Sequence, residues 1–198
     1  MGVFLTTRRL ACAALACLSL AGCGVVGSTA PDTYDLTAPT TVKTLKPGRA
    51  QIVVALPTAL QALDSERILI RPKDGQVSYL PGAQWADRLP QLVQTRLIQT
   101  FENGQRIGTV GRPEDKLTAD VNLVTEIRNF EIDLSSGPVA IVTISARMVS
   151  EKDGRIVAAG NFTASTPAGI TGPQASAALD QTLRDVLSKI VIWTATKI

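Results

Sequence analysis

The sequence predicts one α+β domain: a mainly antiparallel sheet with two amphipathic helices packed on one face. Three observations carry this. Several segments alternate apolar and polar residues, which marks strands with one covered face and one open face. Two longer segments repeat their apolar residues at three and four, which marks helices with a single buried stripe. The chain has 198 residues, enough for one such core with a short leader and linker.

In chain order, residues 1–22 read as a leader outside the fold. Arg8 and Arg9 form a basic start, and Leu10 to Ala21 is an apolar run too short to span a bilayer. It ends in Leu20-Ala21-Gly22-Cys23, the pattern of a bacterial lipobox. That motif places cleavage between Gly22 and Cys23, with lipid on the Cys23 sulfur and acyl chains as the membrane anchor. Residues 23–49, rich in Thr, Pro and Gly, read as a flexible tether. Tyr34-Asp35-Leu36 interrupts it as a candidate docked strand. The domain proper is assigned to 50–198.

Within the domain, Ile52 to Leu56 is an apolar strand closed by Pro57. Arg67–Arg71 and Val77–Leu80 flank Lys73-Asp74-Gly75-Gln76, a hairpin signal. A helix is expected from Trp85 to Phe101, with Pro90 in its first turn and Asp87 as cap. Arg106–Val110 reads as a short strand. Leu117–Ile132 reads as a long strand whose apolar parity flips near Asn129, which calls for a β-bulge. Ala140–Met148 and Ile156–Ala164 alternate around a Glu151–Gly154 turn. Leu179, Leu183, Val186, Leu187 and Ile190 then define a terminal helix that opens at Pro173.

Composition narrows the chemistry. There is no histidine, so a Ser-His-Asp or Cys-His nucleophile cannot be built. Cys12 and Cys17 fall in the leader, and Cys23 is capped in the lipobox reading. No free thiol then remains for a disulfide or a zinc site of the usual kind. Losing Arg8 and Arg9 lowers the formal charge from +3 to +1. With aromatics at 4%, nucleic-acid binding is not expected. No phosphate-binding loop, dinucleotide turn or calcium loop occurs, and no metal, cofactor or catalytic residue is expected. Glu131 and Asp133 share one strand face and read as a solvated edge.

Arg67, Arg71, Tyr79 and Trp85 cluster in sequence around Pro81-Gly82, as interface anchors do. Trp85 also reads, and more simply, as the first residue of the helix's core face. Trp193 reads either as the end of a buried face or as an exposed contact for a partner or lipid.

The lipobox, Tyr34-Asp35-Leu36, Glu66–Arg71, Val77-Ser78-Tyr79, Trp85–Pro90 and the two helices occur in an order that resembles the ABC-type transport auxiliary lipoproteins. The lipoprotein of the paraquat-inducible system is one of these. The resemblance implies a non-catalytic docking or acceptor subunit on the periplasmic face of the outer membrane. Its implied partners are a periplasmic MCE-domain protein, an ABC permease and an ATPase. Such systems are thought to move phospholipids or other hydrophobic molecules between the two membranes of Gram-negative cells. The residues alone leave open the inner membrane, a homo-oligomer, a free-standing lipid carrier and an envelope assembly scaffold.

Overall fold

The computed structural model describes residues 30–42, 49–104 and 108–198. The leader, Gly22 and Cys23 lie outside the described residues, as does the stretch 43–48. The fold comprises nine strands and two α-helices among the described residues: β1 Asp32–Tyr34, β2 Gln51–Val54, β3 Thr58–Ala59, β4 Arg67–Arg71, β5 Ser78–Trp85, α1 Leu89–Asn103, β6 Thr109–Gly111, β7 Val121–Asp133, β8 Val139–Ser150, β9 Ile156–Pro167 and α2 Gly172–Ala195. The predicted α+β class and the two helices hold.

The sheet is mixed rather than mainly antiparallel. Its spine is β7. One flank of β7 carries β8 antiparallel along its whole length, and β9 extends this as an antiparallel outer strand. The other flank takes β2, β3 and β4 in succession, all parallel to β7. β5 returns antiparallel to β4, β1 pairs parallel to β5, and β6 pairs parallel to β2. Alternation in sequence fixes which face a side chain takes but not the direction of the neighbouring strand. The α1 crossover lies between β2–β4 and β7 in the chain, and these three strands pair with β7 in parallel.

Several element ends differ from the periodicity. Trp85 belongs to the end of β5, and α1 starts at Leu89 with Pro90 in its first turn. There Pro costs no hydrogen bond, because the first helical N–H groups have no intrahelical partner. Asp87 does not cap the helix. The N-cap is Arg88, and its backbone N–H donates to Asp87 Oδ1 at 2.7 Å. Gly82 lies inside β5 at φ +68°, beside a register shift between Arg67 and Leu69. A residue with a side chain would be strained in that conformation. The bulge expected near Asn129 appears as a register shift between Ile127 and Asn129.

Both helices cover one face of the sheet, α1 over β2 and β6 and α2 over β8 and β9. The core between them includes Leu123, Ile127, Phe130 and Ile132 of β7 with Val142, Ile144 and Met148 of β8. Leu183, Val186, Leu187 and Ile190 of α2 pack on these. Ala140 and Ala146, fully buried in β8, keep that face low enough for α2 to lie close.

Residues 31–42 do not behave as a tether. Tyr34 pairs with Trp85 at the sheet margin, and Leu36, Pro39 and Val42 are buried. Thr37 is clamped to α2: its backbone N–H donates to Asp180 Oδ1 at 2.6 Å, and its hydroxyl donates to Oδ2 at 2.8 Å. Arg96 of α1 donates to Asp35 Oδ2 at 2.5 Å. Three buried apolar side chains outweigh the Thr- and Pro-rich composition that suggested a linker.

Candidate functional site

Of the five candidate contact residues, the structure brings together three. Arg67, Arg71 and Tyr79 lie on the outer face of β4 and β5, away from the helices. The Arg67 guanidinium sits 3.6 Å above the centre of the Tyr79 ring, a cation–π contact. The Tyr79 hydroxyl donates to the Ala62 carbonyl at 3.3 Å.

Arg71 makes a two-pronged bond to Glu131, with Nε donating to Oε1 and Nη2 to Oε2, each at 2.8 Å. Asn129 Nδ2 also donates to Oε1, at 3.1 Å. This hydrogen bonding to Glu131 raises the Arg71 pKa further above its usual value. Glu131 is only 3% exposed, so the solvated-edge reading fails for it. The register explains why: parallel pairing places Leu69 opposite Glu131 and Arg71 opposite Asp133, which brings the guanidinium over the carboxylate. Asp133 remains partly exposed. The Ser135 backbone N–H donates to its Oδ1 at 2.7 Å, and this bond first, then the Ser135 side chain and the charge of Arg71, hold its pKa below the usual carboxylate range.

Trp85 is not a contact residue. It is 1% exposed and meets Phe130 edge-to-face, with ring centres 5.8 Å apart. Residues 79 and 85 share a parity, and it is the irregularity of β5 at Gly82, with its register shift against β4, that turns Trp85 to the opposite face from Tyr79. Trp193 lies far from this group, half-buried on α2 and edge-to-face with Phe162 of β9 at 5.3 Å. It fastens α2 to the outer strand and retains only part of its surface for any contact.

A second surface was signalled in sequence only by the alternation. Among the described residues, the outer face of β7–β9 carries no helix. Ile141, Thr143, Thr163 and Ser165 stand in adjacent rows on it, and the Thr143 and Thr163 hydroxyls share a hydrogen bond of 3.2 Å. β9 pairs only with β8 among the described residues, so the other edge of its 12 residues meets no described strand; the Thr163 carbonyl of β9 accepts from Lys189 Nζ of α2 at 2.8 Å.

The described surface also holds clefts of about 470, 290 and 270 Å³. The first is lined by Asp35, Arg96, Thr37, Gln99 and Asn103 beside Leu36 and Ala38, a mostly polar set. Among the described residues no three His, Cys, Asp or Glu side chains are grouped to hold a metal ion. No described helix is long and apolar enough to cross a membrane.

Comparison with known proteins places this arrangement. Protein XCC0632 from Xanthomonas campestris, known from its crystal structure, has the same fold with a TM-score of 0.78 and 29% identity, covering 84% of this chain and 95% of that one. A second crystal structure, of an uncharacterized protein, superposes with a TM-score of 0.64 at 14% identity, over 85% and 98% of the two chains, and so shares the fold. In sequence, the uncharacterized protein bll6063 of Bradyrhizobium diazoefficiens is 33% identical over 170 residues, 82% of this chain. This chain spans 44% of that relative's length. Residues 34–191 match the family described as ABC-type transport auxiliary lipoprotein component. That span runs from β1 into the last turns of α2, and the chain belongs to this family of transport auxiliary lipoproteins.

Proposed function

We propose that the protein is the non-catalytic docking or acceptor subunit of an ABC transporter that moves lipid between the inner and outer membranes. In this reading Cys23 carries the lipid anchor and the domain stands on the periplasmic face of the outer membrane. A periplasmic MCE-domain protein docks on it, and ATP hydrolysis belongs to another chain.

The observation that carries the reading is family membership across residues 34–191 joined to a sheet face that no described helix covers. Open faces and edges of this kind serve as protein-docking surfaces, because strand addition and sheet packing need no catalytic group. The lack of histidine and of a free thiol outside the leader and lipobox agrees with a binding role.

The test is affinity purification of the full-length protein, tagged at its C-terminus, from native membranes in mild detergent, followed by mass spectrometry. Recovery of an MCE-domain protein with its permease and ATPase is the expected result. An intact, lipidated protein that recovers none of the three would overturn the proposal.

A further inference from the structure

The phase of the hydrogen bonds decides which backbone groups of β9 face outward. The Ala168 N–H, directly after the strand, donates to the Pro138 carbonyl, directly before β8, at 3.0 Å. Opposed residues of an antiparallel pair alternate between bonded and non-bonded. Gly160, Phe162, Ala164 and Thr166 therefore bond back to β8, and Ala159, Asn161, Thr163 and Ser165 turn their N–H and C=O groups to the outer edge. Among the described residues no strand meets that edge. A side chain does: Lys189 of α2 donates from Nζ to the Thr163 carbonyl at 2.8 Å.

The helix side of this edge has its own chemistry. Lys189 is exposed. Asp185, one turn back along α2, accepts from Gln181 Nε2 at 3.3 Å. One turn onward, Trp193 lies over Gly160: a Cβ built there would stand 3.6 Å from the indole and 3.0 Å from the Phe162 ring. Trp193 and Phe162 are each half-buried. A cation thus stands beside Thr163 and an aromatic pair beside Gly160, along a strand that carries no charge of its own.

We propose that the β9 edge accepts an extended segment of a partner protein in which a carboxylate is followed, two residues along, by an apolar side chain. The inference deepens the docking role proposed above and rests on it for the partner. Main-chain bonds to Ala159, Asn161, Thr163 and Ser165 supply the pairing. Side chains of an added strand alternate between the two faces. Those opposite Phe162 or Ala164 stand on the α2 side, where a carboxylate meets Lys189. The next residue on that side covers Trp193 and Phe162. The same lysine disfavours a second copy of this chain as the occupant. Antiparallel pairing about the middle of β9 would set Lys189 near its own copy, with no acid on the strand to offset the like charges.

The test uses the full-length chain in mild detergent and two fluorescent, end-capped peptides. Each alternates threonine and valine over seven residues, with the central valine exchanged for glutamate in one and for lysine in the other. The pattern is the same read from either end, so it serves both strand directions and keeps the charge and its flanking valines on one face. Fluorescence anisotropy at low salt is expected to show the glutamate peptide binding about tenfold more tightly. That ratio sums attraction to Lys189 in one complex and repulsion in the other. Lys189→Glu is expected to reverse the order. The glutamate peptide N-methylated at its threonines, which cannot donate to the edge, is expected not to bind. No binding of the glutamate peptide below about 1 mM, equal binding of the two peptides, tight binding of the methylated form, or an order that Lys189→Glu leaves unchanged overturns the proposal. Thermal melting verifies the folded variant, and Lys189→Gln, expected to erase the preference, serves if Lys189→Glu does not fold. The peptides need no transporter chain. A protein that shows the peptide preference but recovers no transporter chain overturns the docking reading alone, whereas recovery without the preference overturns the edge chemistry alone.

Discussion

Among single residues, the Arg71–Glu131 pair has the largest energetic consequence. Glu131 is almost wholly buried, while the Arg71 side chain keeps about a third of its exposure. Such a pair adds little over a well-packed apolar pair, but losing one partner strands the other charge. Arg71→Met is expected to destabilise the fold by about 3 kcal/mol, the lower end of the range because Asn129 still donates to the carboxylate. The double variant Arg71→Met with Glu131→Leu should recover most of that loss. Urea midpoints at unchanged m report both values. Should Arg71→Met instead retain full stability while partner recovery falls, Arg71 is a contact residue rather than a structural one. Asp133 gives a pH signature. Its folded pKa is held below the unfolded one, so its contribution is complete above about pH 4 and disappears as pH falls through the folded pKa. Asp133→Asn should therefore be less stable than the parent at neutral pH, with the difference closing in acid. A gap that persists unchanged at pH 2–3 would assign the loss to packing instead.

Among elements, the segment 31–42 separates composition from structure. Its Thr and Pro content suggested a tether, yet Leu36 is 1% exposed and Thr37 is clamped to Asp180. Leu36→Ala is expected to cost about 3 kcal/mol, as deletion of a fully buried leucine side chain does. A urea midpoint indistinguishable from the parent would return the segment to the status of a linker. The other elements divide by the type of signal they carry. β7, β8, β9, α1 and α2 were legible because each is long enough for its period to show. The β7 bulge was legible because a parity flip has few other causes. β3, two residues long, has no period to read. Trp85 fits the α1 spacing by extrapolation, and only the pairing of β5 with β4 and β1 shows that it ends a strand. The parallel course of β2–β4 beside β7 is a property of pairs of segments, which no single segment encodes. The same reason hid the Arg71–Glu131 bond, whose partners are 60 positions apart and meet only through that parallel register.

For the whole molecule, the sheet is asymmetric across its two faces, and that asymmetry was partly written in the sequence. Alternation announced a bare face, while the identity of that face required the fold. The edge at β9 makes the argument sharper. Natural edge strands are usually short, or carry lysine, proline or inward charge, to prevent pairing with other chains. β9 has 12 residues without a single charge, and its only proline is the last residue. The strand beside it, β8, has Arg147 as its one charged residue. Such an edge is tolerated where another chain covers it. Asn161 and Ser165 are both exposed on the outer face of β9, so Asn161→Lys with Ser165→Lys adds two charges there and removes no core packing. Surface changes of this kind usually alter stability by no more than about 0.5 kcal/mol. If the MCE-domain partner docks on this face, its recovery should fall about tenfold, which corresponds to about 1.4 kcal/mol of binding. Quantitative purification of parent and variant from the same membranes gives the ratio, and thermal melting verifies that the fold is retained. Unchanged recovery from a stably folded variant would exclude β9 and its outer face as the dock. The Arg67–Tyr79 surface of β4 and β5, on the other flank of β7, is then the next surface to test.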